Sequence, residues 1–153
     1  MKIFITTSSL LIVGITLFFF MQSYFSRAYA APGLVAEQPS KCPSTPNCIC
    51  SEYSDDTEHF FDPIEIPISN GTALTAQLKN ILKKMGASSI STSDSYIAAT
   101  FTSAIFRFVD DFEIRIDNEK QLIHIRSASR TGKSDFGVNK KRADTFSSLI
   151  KEL

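Results

Sequence analysis

Apolar positions along the chain follow two different rules. From Ile3 to Phe25 they run almost unbroken, interrupted only by Thr, Ser, Gly and Gln. From Ile64 onward they recur at regular intervals. A run with no polar face does not lie on a protein surface, and a domain this small could not surround it. Counted from Ile3, it is long enough to cross a bilayer, since about 20 apolar residues at 1.5 Å each span a core of about 30 Å.

Small residues at Ala28 and Ala30, just before Ala31-Pro32, match the pattern a signal peptidase reads. Residues 1–30 therefore read as a signal peptide or an N-terminal membrane anchor. Cleavage after Ala30 would release a periplasmic or secreted protein; retention would leave a single-span anchor. Both place the domain outside the cytoplasm. No Cys closely follows the apolar run, so a lipid-anchored precursor is not expected. Residues 31–41, rich in Pro, Ala and Gly, read as a linker.

The periodic part predicts one domain over 42–153. Ile64-Glu65-Ile66-Pro67-Ile68 alternates as a short edge strand, with Pro67 arguing against a central position. Leu74, Leu78, Ile81, Leu82 and Met85 recur at helical spacing, with Lys79, Lys83 and Lys84 on the other side. Asn70 or Thr72 suits the start of that helix, and Gly86 its end.

Three strand-like runs follow: Tyr96 to Thr102, Ile105 to Asp117 and Leu122 to Arg130. In the second, Phe112, Ile114 and Ile116 share one face, and Asp111, Glu113 and Arg115 the other. In the third, Ile123 and Ile125 point inward, while His124, Arg126 and Arg130 point outward. A turn near Asn118-Glu119 makes the last two runs a hairpin. Matching their apolar faces allows a loop of two or four residues and forbids three. The shorter loop sets Asp111 opposite Arg126 and Glu113 opposite His124; the longer sets Glu113 opposite Arg126.

A final helix has Ala143, Phe146, Leu149, Ile150 and Leu153 as its stripe and Asn139 as its cap. The expected class is α+β: a small antiparallel sheet of about three to five strands with two helices packed on one face.

Charge changes the picture locally. The 153 residues carry 16 Lys plus Arg and 16 Asp plus Glu. This balance offers no general attraction to nucleic acid. Lys120 to Arg142, however, holds seven bases and one acid, Asp135, so a local basic face is expected.

Cys42-Pro43-Ser44-Thr45-Pro46-Asn47-Cys48-Ile49-Cys50 is a hook with three thiols. In an oxidising compartment nearby thiols pair. Cys42 with Cys48 closes a short loop stiffened by two prolines and is the expected disulfide. Cys42 with Cys50 is nearly as feasible, and Cys48 with Cys50 is strained. No fourth ligand accompanies the three, so no metal is expected.

That hook, together with Asp110-Asp111-Phe112-Glu113 and the stretch Arg126-Ser-Ala-Ser-Arg130-Thr-Gly132-Lys-Ser-Asp135-Phe-Gly137-Val-Asn139-Lys-Lys-Arg142, resembles the family called domain of unknown function 1499. The resemblance runs from about Cys42 to Leu153. It implies export or membrane association, in agreement with the N-terminus, and supplies no established activity.

The last stretch carries the candidate ligand site: Arg126, Ser129, Arg130, Gly132, Asp135, Gly137, Asn139 and Arg142, with Ser127 and Ser134 beside them. It joins a strand end to a helix start. A helix N-terminus presents free N–H groups and partial positive charge to an anion. Gly132 and Gly137 admit φ > 0 and close approach of a ligand. Arg130 and Arg142 offer paired donors to a phosphate, sulfate or carboxylate. Against this, Asp135 and the serines also suit a structural cap. Arg126 and Arg130 would stand about 13 Å apart on a regular strand, at about 3.3 Å per residue.

Catalytic signals are sparse. His124 oriented by Glu113, with serines near, would be the core of a hydrolase. No nucleophile elbow or phosphate-binding glycine loop is present, and no cofactor is expected. The sequence thus points to a non-enzymatic envelope module that binds an anionic small molecule, a lipid headgroup or a protein partner. A hydrolase using His124 and Glu113 and a structural or assembly protein of the envelope are the alternatives.

Overall fold

The computed structural model describes residues 2–67 and 74–153. Helix α1, Lys2–Ala28, carries the apolar run. It is followed by two short strands, β1 (Leu34–Val35) and β2 (Gln38–Pro39), paired antiparallel. The stretch expected as a linker is therefore folded back as a hairpin, with Pro39 buried.

The main sheet has six strands, not three to five. They are β3 (Cys48–Cys50), β4 (Ile64–Glu65), β5 (Ser89–Ser93), β6 (Tyr96–Thr102), β7 (Val109–Asp117) and β8 (Leu122–Ser129). Their order is β3-β8-β7-β6-β5, with β4 also paired to β8, and every pairing is antiparallel. The uncounted strands are β3 and β5. Serine and threonine fill every β5 position except Ile90, and β3 is only Cys-Ile-Cys, so neither shows a long apolar alternation.

Helix α2 (Leu74–Lys84) and helix α3 (Val138–Lys151) pack on one face of this sheet. Their stripes, Leu74, Leu78, Ile81 and Leu82 from α2 and Ala143, Phe146 and Ile150 from α3, bury the apolar face of β6, β7 and β8. Phe112 lies edge-on to both Phe101 and Phe146 at the centre. Gly86 follows α2 at φ +90, where a side chain would be strained. The proposed caps Asn70 and Thr72, and Ile68 of the expected first strand, lie outside the described residues.

The β7–β8 hairpin uses the four-residue loop, with Asp117 opposite Leu122 and hence Glu113 opposite Arg126. Strand β7 begins at Val109. Ile105 to Phe108, expected as part of that strand, is instead the connection from β6.

Candidate functional site

The strict alternation of β7 and β8 sends each charged residue to one side of the sheet. On the face away from the helices, Asp111, Glu113, His124 and Arg126 are all buried. β2 packs over β7 on this part of the domain. The result is a buried layer of paired charges.

Glu113 accepts from Arg126 Nη1 at 2.8 Å and from the Tyr96 hydroxyl at 2.6 Å. Burial and this carboxylate push the Tyr96 phenol well above its usual range. Arg115 donates to both oxygens of Glu52, at 2.6 and 3.1 Å, and to Asp117 at 3.3 Å. Cys50 is a free, buried thiol in the same layer, and burial pushes it up to about 11. Arg126 Nε and His124 Nε2 are buried without partners.

Arg130 extends the layer toward α1. It donates to Asp111 twice, at 2.9 and 2.7 Å. Its Nη1 donates to the carbonyl of Ser26 at 3.2 Å and to that of Tyr29. The Val109 N–H donates to the Ser26 hydroxyl at 3.2 Å, and Ser23 and Ser26 are fully buried. The end of α1 is thus built into the start of β7 and the end of β8.

The helix face of the same corner is a separate network. Asn139 Nδ2 donates to the Asn47 carbonyl at 2.9 Å and to Ser129 Oγ at 3.0 Å. Its Oδ1 accepts from Ser127 Oγ and from Arg142 Nη1, both at 2.7 Å. Arg142 also pairs with Asp110 at 3.0 Å and stacks over Phe101 at 4.5 Å. Asn47 Nδ2 reaches the Gly132 carbonyl at 3.0 Å, and Cys42 and Cys48 form the disulfide beside it.

Asn139 is not the cap of α3. Gly137, at φ 79, holds that position, and the Asp135 carboxylate accepts from the N–H groups of Gly137 and Asn139 at 3.0 and 2.7 Å. A carboxylate of the chain itself already sits at the helix N-terminus.

The sheet divides the expected ligand residues. Ser129, Gly132, Asp135, Gly137, Asn139 and Arg142 gather on the α3 side, whereas Arg126 and Arg130 lie across it. Each of the three arginines is paired with a carboxylate.

Nor does the structure assemble a His124–Glu113 dyad, because the register places His124 opposite Arg115. Its Nδ1 faces Glu52 at 3.4 Å, Ser51 Oγ at 3.4 Å and the Ser51 carbonyl at 3.3 Å. A triad needs its acid and its nucleophile on opposite ring nitrogens; here both candidates crowd one. Burial pushes His124 below its ordinary value despite Glu52. Among the described residues, no three His, Cys, Asp or Glu side chains converge as a metal would require.

Sequence reasoning missed Ser23, Ser26, Asn47 and Glu52. Ser23 and Ser26 stand three residues apart on one helix face, but the same helix carries Thr and Ser elsewhere, so nothing in the sequence singled them out.

The fold and these networks define a small α+β domain docked on the end of an apolar helix. The chain belongs to the family described as protein of unknown function (DUF1499), whose model matches residues 39–150. No curated protein and no solved structure matches it.

Proposed function

We propose that the chain is a non-enzymatic module of the cell envelope that works at a membrane surface, with α1 kept as its anchor. The observation that carries this is the bonding of Arg130 and Val109 to the end of α1. Residues upstream of the expected cleavage point complete the domain's own hydrogen bonding. Removing them would strip Arg130 Nη1 and the Val109 N–H of these partners, leaving the Arg130 guanidinium only its bonds to Asp111.

The window Thr7–Ala28 is long and apolar enough to cross a bilayer. A retained span also explains why its apolar side chains face outward, away from the domain. The ligand reading narrows accordingly. Arg126, Arg130 and Arg142 are engaged in ion pairs, so an anionic lipid headgroup or a membrane-bound partner meets the exposed cations near the helix exit, Arg27 and Arg107.

Alkaline carbonate extraction of membranes from cells expressing the full chain tests this reading. The protein is expected to stay in the pellet, while Ala31–Leu153 exported behind an unrelated cleavable signal is released. Full-length chain released into the supernatant would refute the anchor.

A further inference from the structure

The connection from β6 to β7 is the one described part of the domain whose aromatic side chains pack alongside α1 rather than at its end. Phe106 packs on Phe19 and Phe20, with ring centroids 5.0 and 5.5 Å apart. Phe108 meets Phe19 edge-on at 6.4 Å. Between them, Arg107 adopts φ 63 and is exposed. Ile105, at the tip, is 77% exposed.

Depth along the helix decides what surrounds this loop. The apolar window is Thr7–Ala28. Ser26, whose hydroxyl and carbonyl bond to Val109 and Arg130 of the domain, sets the top of the hydrocarbon just below it, near Gln22. About 20 residues at 1.5 Å each then reach back to Ile3. Phe19 and Phe20 then stand in the last turn inside it. Ser26, which bonds to the domain, and Ser23, buried one turn before it, stand just above. Tyr24, Phe25 and Tyr29 fall where aromatic side chains mark a membrane interface. A loop touching Phe19 and Phe20 is at the level of the outer acyl chains.

Exposure elsewhere agrees. Ile105 and Phe136, 98% exposed, are the two most exposed large apolar side chains among the described residues. Both lie beyond the same end of the β7–β8 hairpin, the end at which α1 docks: Ile105 precedes Val109 of β7, and Phe136 follows Ser129 of β8. The opposite end of the hairpin, Asn118 to Gln121, is polar.

We infer that Ile105–Phe108 is a lipid-inserting loop: Ile105 and Phe106 enter the outer acyl region beside α1, and Arg107 reaches back to headgroup phosphates. An apolar side chain flanking a long cation suits an interface, since the cation's stem lies in the apolar zone and its head in water. The partner is thus the lipid surface, and the domain is held at a second point besides its anchor. The inference rests on α1 being a retained span.

The chain contains no Trp, so a single introduced Trp reports its own position. The full chain is reconstituted in vesicles of phosphatidylcholine with a minority of phosphatidylglycerol, the acyl chains brominated either near the carboxyl end or near the methyl end. Three variants are compared: Ile105→Trp, Leu11→Trp in the apolar helix and Glu119→Trp at the far end of the hairpin. Ile105→Trp is expected to be quenched strongly by shallow bromines and less by deep ones. Leu11→Trp is expected to be quenched by deep bromines, and Glu119→Trp by neither. Quenching of Leu11→Trp with none of Ile105→Trp would overturn the lipid loop and leave the anchor standing. A blue-shifted but unquenched Ile105→Trp would mean that protein covers the loop, and would also overturn it. An unquenched Leu11→Trp would remove the anchor and the loop together.

Discussion

Arg130 holds Asp111 by two hydrogen bonds, at 2.9 and 2.7 Å, while its third nitrogen donates to the carbonyls of Ser26 and Tyr29 at the end of α1. One guanidinium thus neutralises a buried carboxylate and caps the negative end of a helix dipole. The planar fork of Arg suits this double task, and a point charge does not.

Arg130→Ala should therefore cost about 3–5 kcal/mol, because it leaves Asp111 buried and unpaired. Arg130→Lys should recover only part of that. Urea unfolding of the full chain in detergent micelles measures both. A cost for the Ala variant below about 1 kcal/mol would mean that water replaces the guanidinium without penalty.

Glu113 and Arg126 present the same problem more deeply buried. Arg126→Met alone should be strongly destabilising, by about 3–5 kcal/mol, since it strands the Glu113 charge; replacing both as Glu113→Leu/Arg126→Met should cost far less than the single change. A double-mutant cycle isolates the difference. Two single costs that simply add would show that the pair is not coupled.

Asn139 serves four partners, drawn from β8, from α3 itself and from the hook. Asn139→Ala should lower stability by about 2–3 kcal/mol, at about 1 kcal/mol per net hydrogen bond with part of the loss recovered by water. It should also speed exchange of the Ser129 amide, which donates to the Asn47 carbonyl. Hydrogen exchange read at Ser129 checks that the hook loosens with it.

His124 links stability to pH. Burial holds its folded pKa below the unfolded value of 6.5, with Glu52 and Asp117 opposing and Arg115 adding to the shift. As pH falls, the unfolded chain takes up the proton first. The contribution is fully present above pH 6.5 and is lost as pH falls through that value toward the folded pKa. His124→Gln should flatten the stability profile as pH falls below 6.5, measured by urea midpoints. An unchanged slope would place the proton uptake elsewhere.

The core of this fold was legible because its residues alternate cleanly. Phe112-Ile114-Ile116 and Ile123-Ile125 announced two strands, and the stripe from Ala143 to Ile150 announced α3. Parity narrowed the hairpin to two registers, but only packing chose between them, because pairing Glu113 with either His124 or Arg126 is chemically acceptable. The short strands β3 and β5 lacked a pattern long enough to read. The hairpin Leu34 to Pro39 was hidden by composition: Pro, Gly and Ala suggest a linker whether or not the chain folds back. The candidate ligand corner was chosen by residue type, and type alone did not reveal that Ser127 and Arg126, adjacent in sequence, face opposite sides of a sheet. Nor did it show that Asp135 fills the helix N-terminus. The docking of Ser23 and Ser26 was invisible for a further reason. A signal peptide and an anchor have the same composition, and only contacts with the domain distinguish them.

Those contacts make processing of the N-terminus the sharpest test of an anchored domain. The quantity to measure is the intact mass of the untagged chain purified from the membranes of cells that express it from its own Met1. Retention of α1 requires the mass of the uncleaved chain, still carrying Ser23, Ser26 and Tyr29. A mass corresponding to a chain that begins at Ala31 would contradict it.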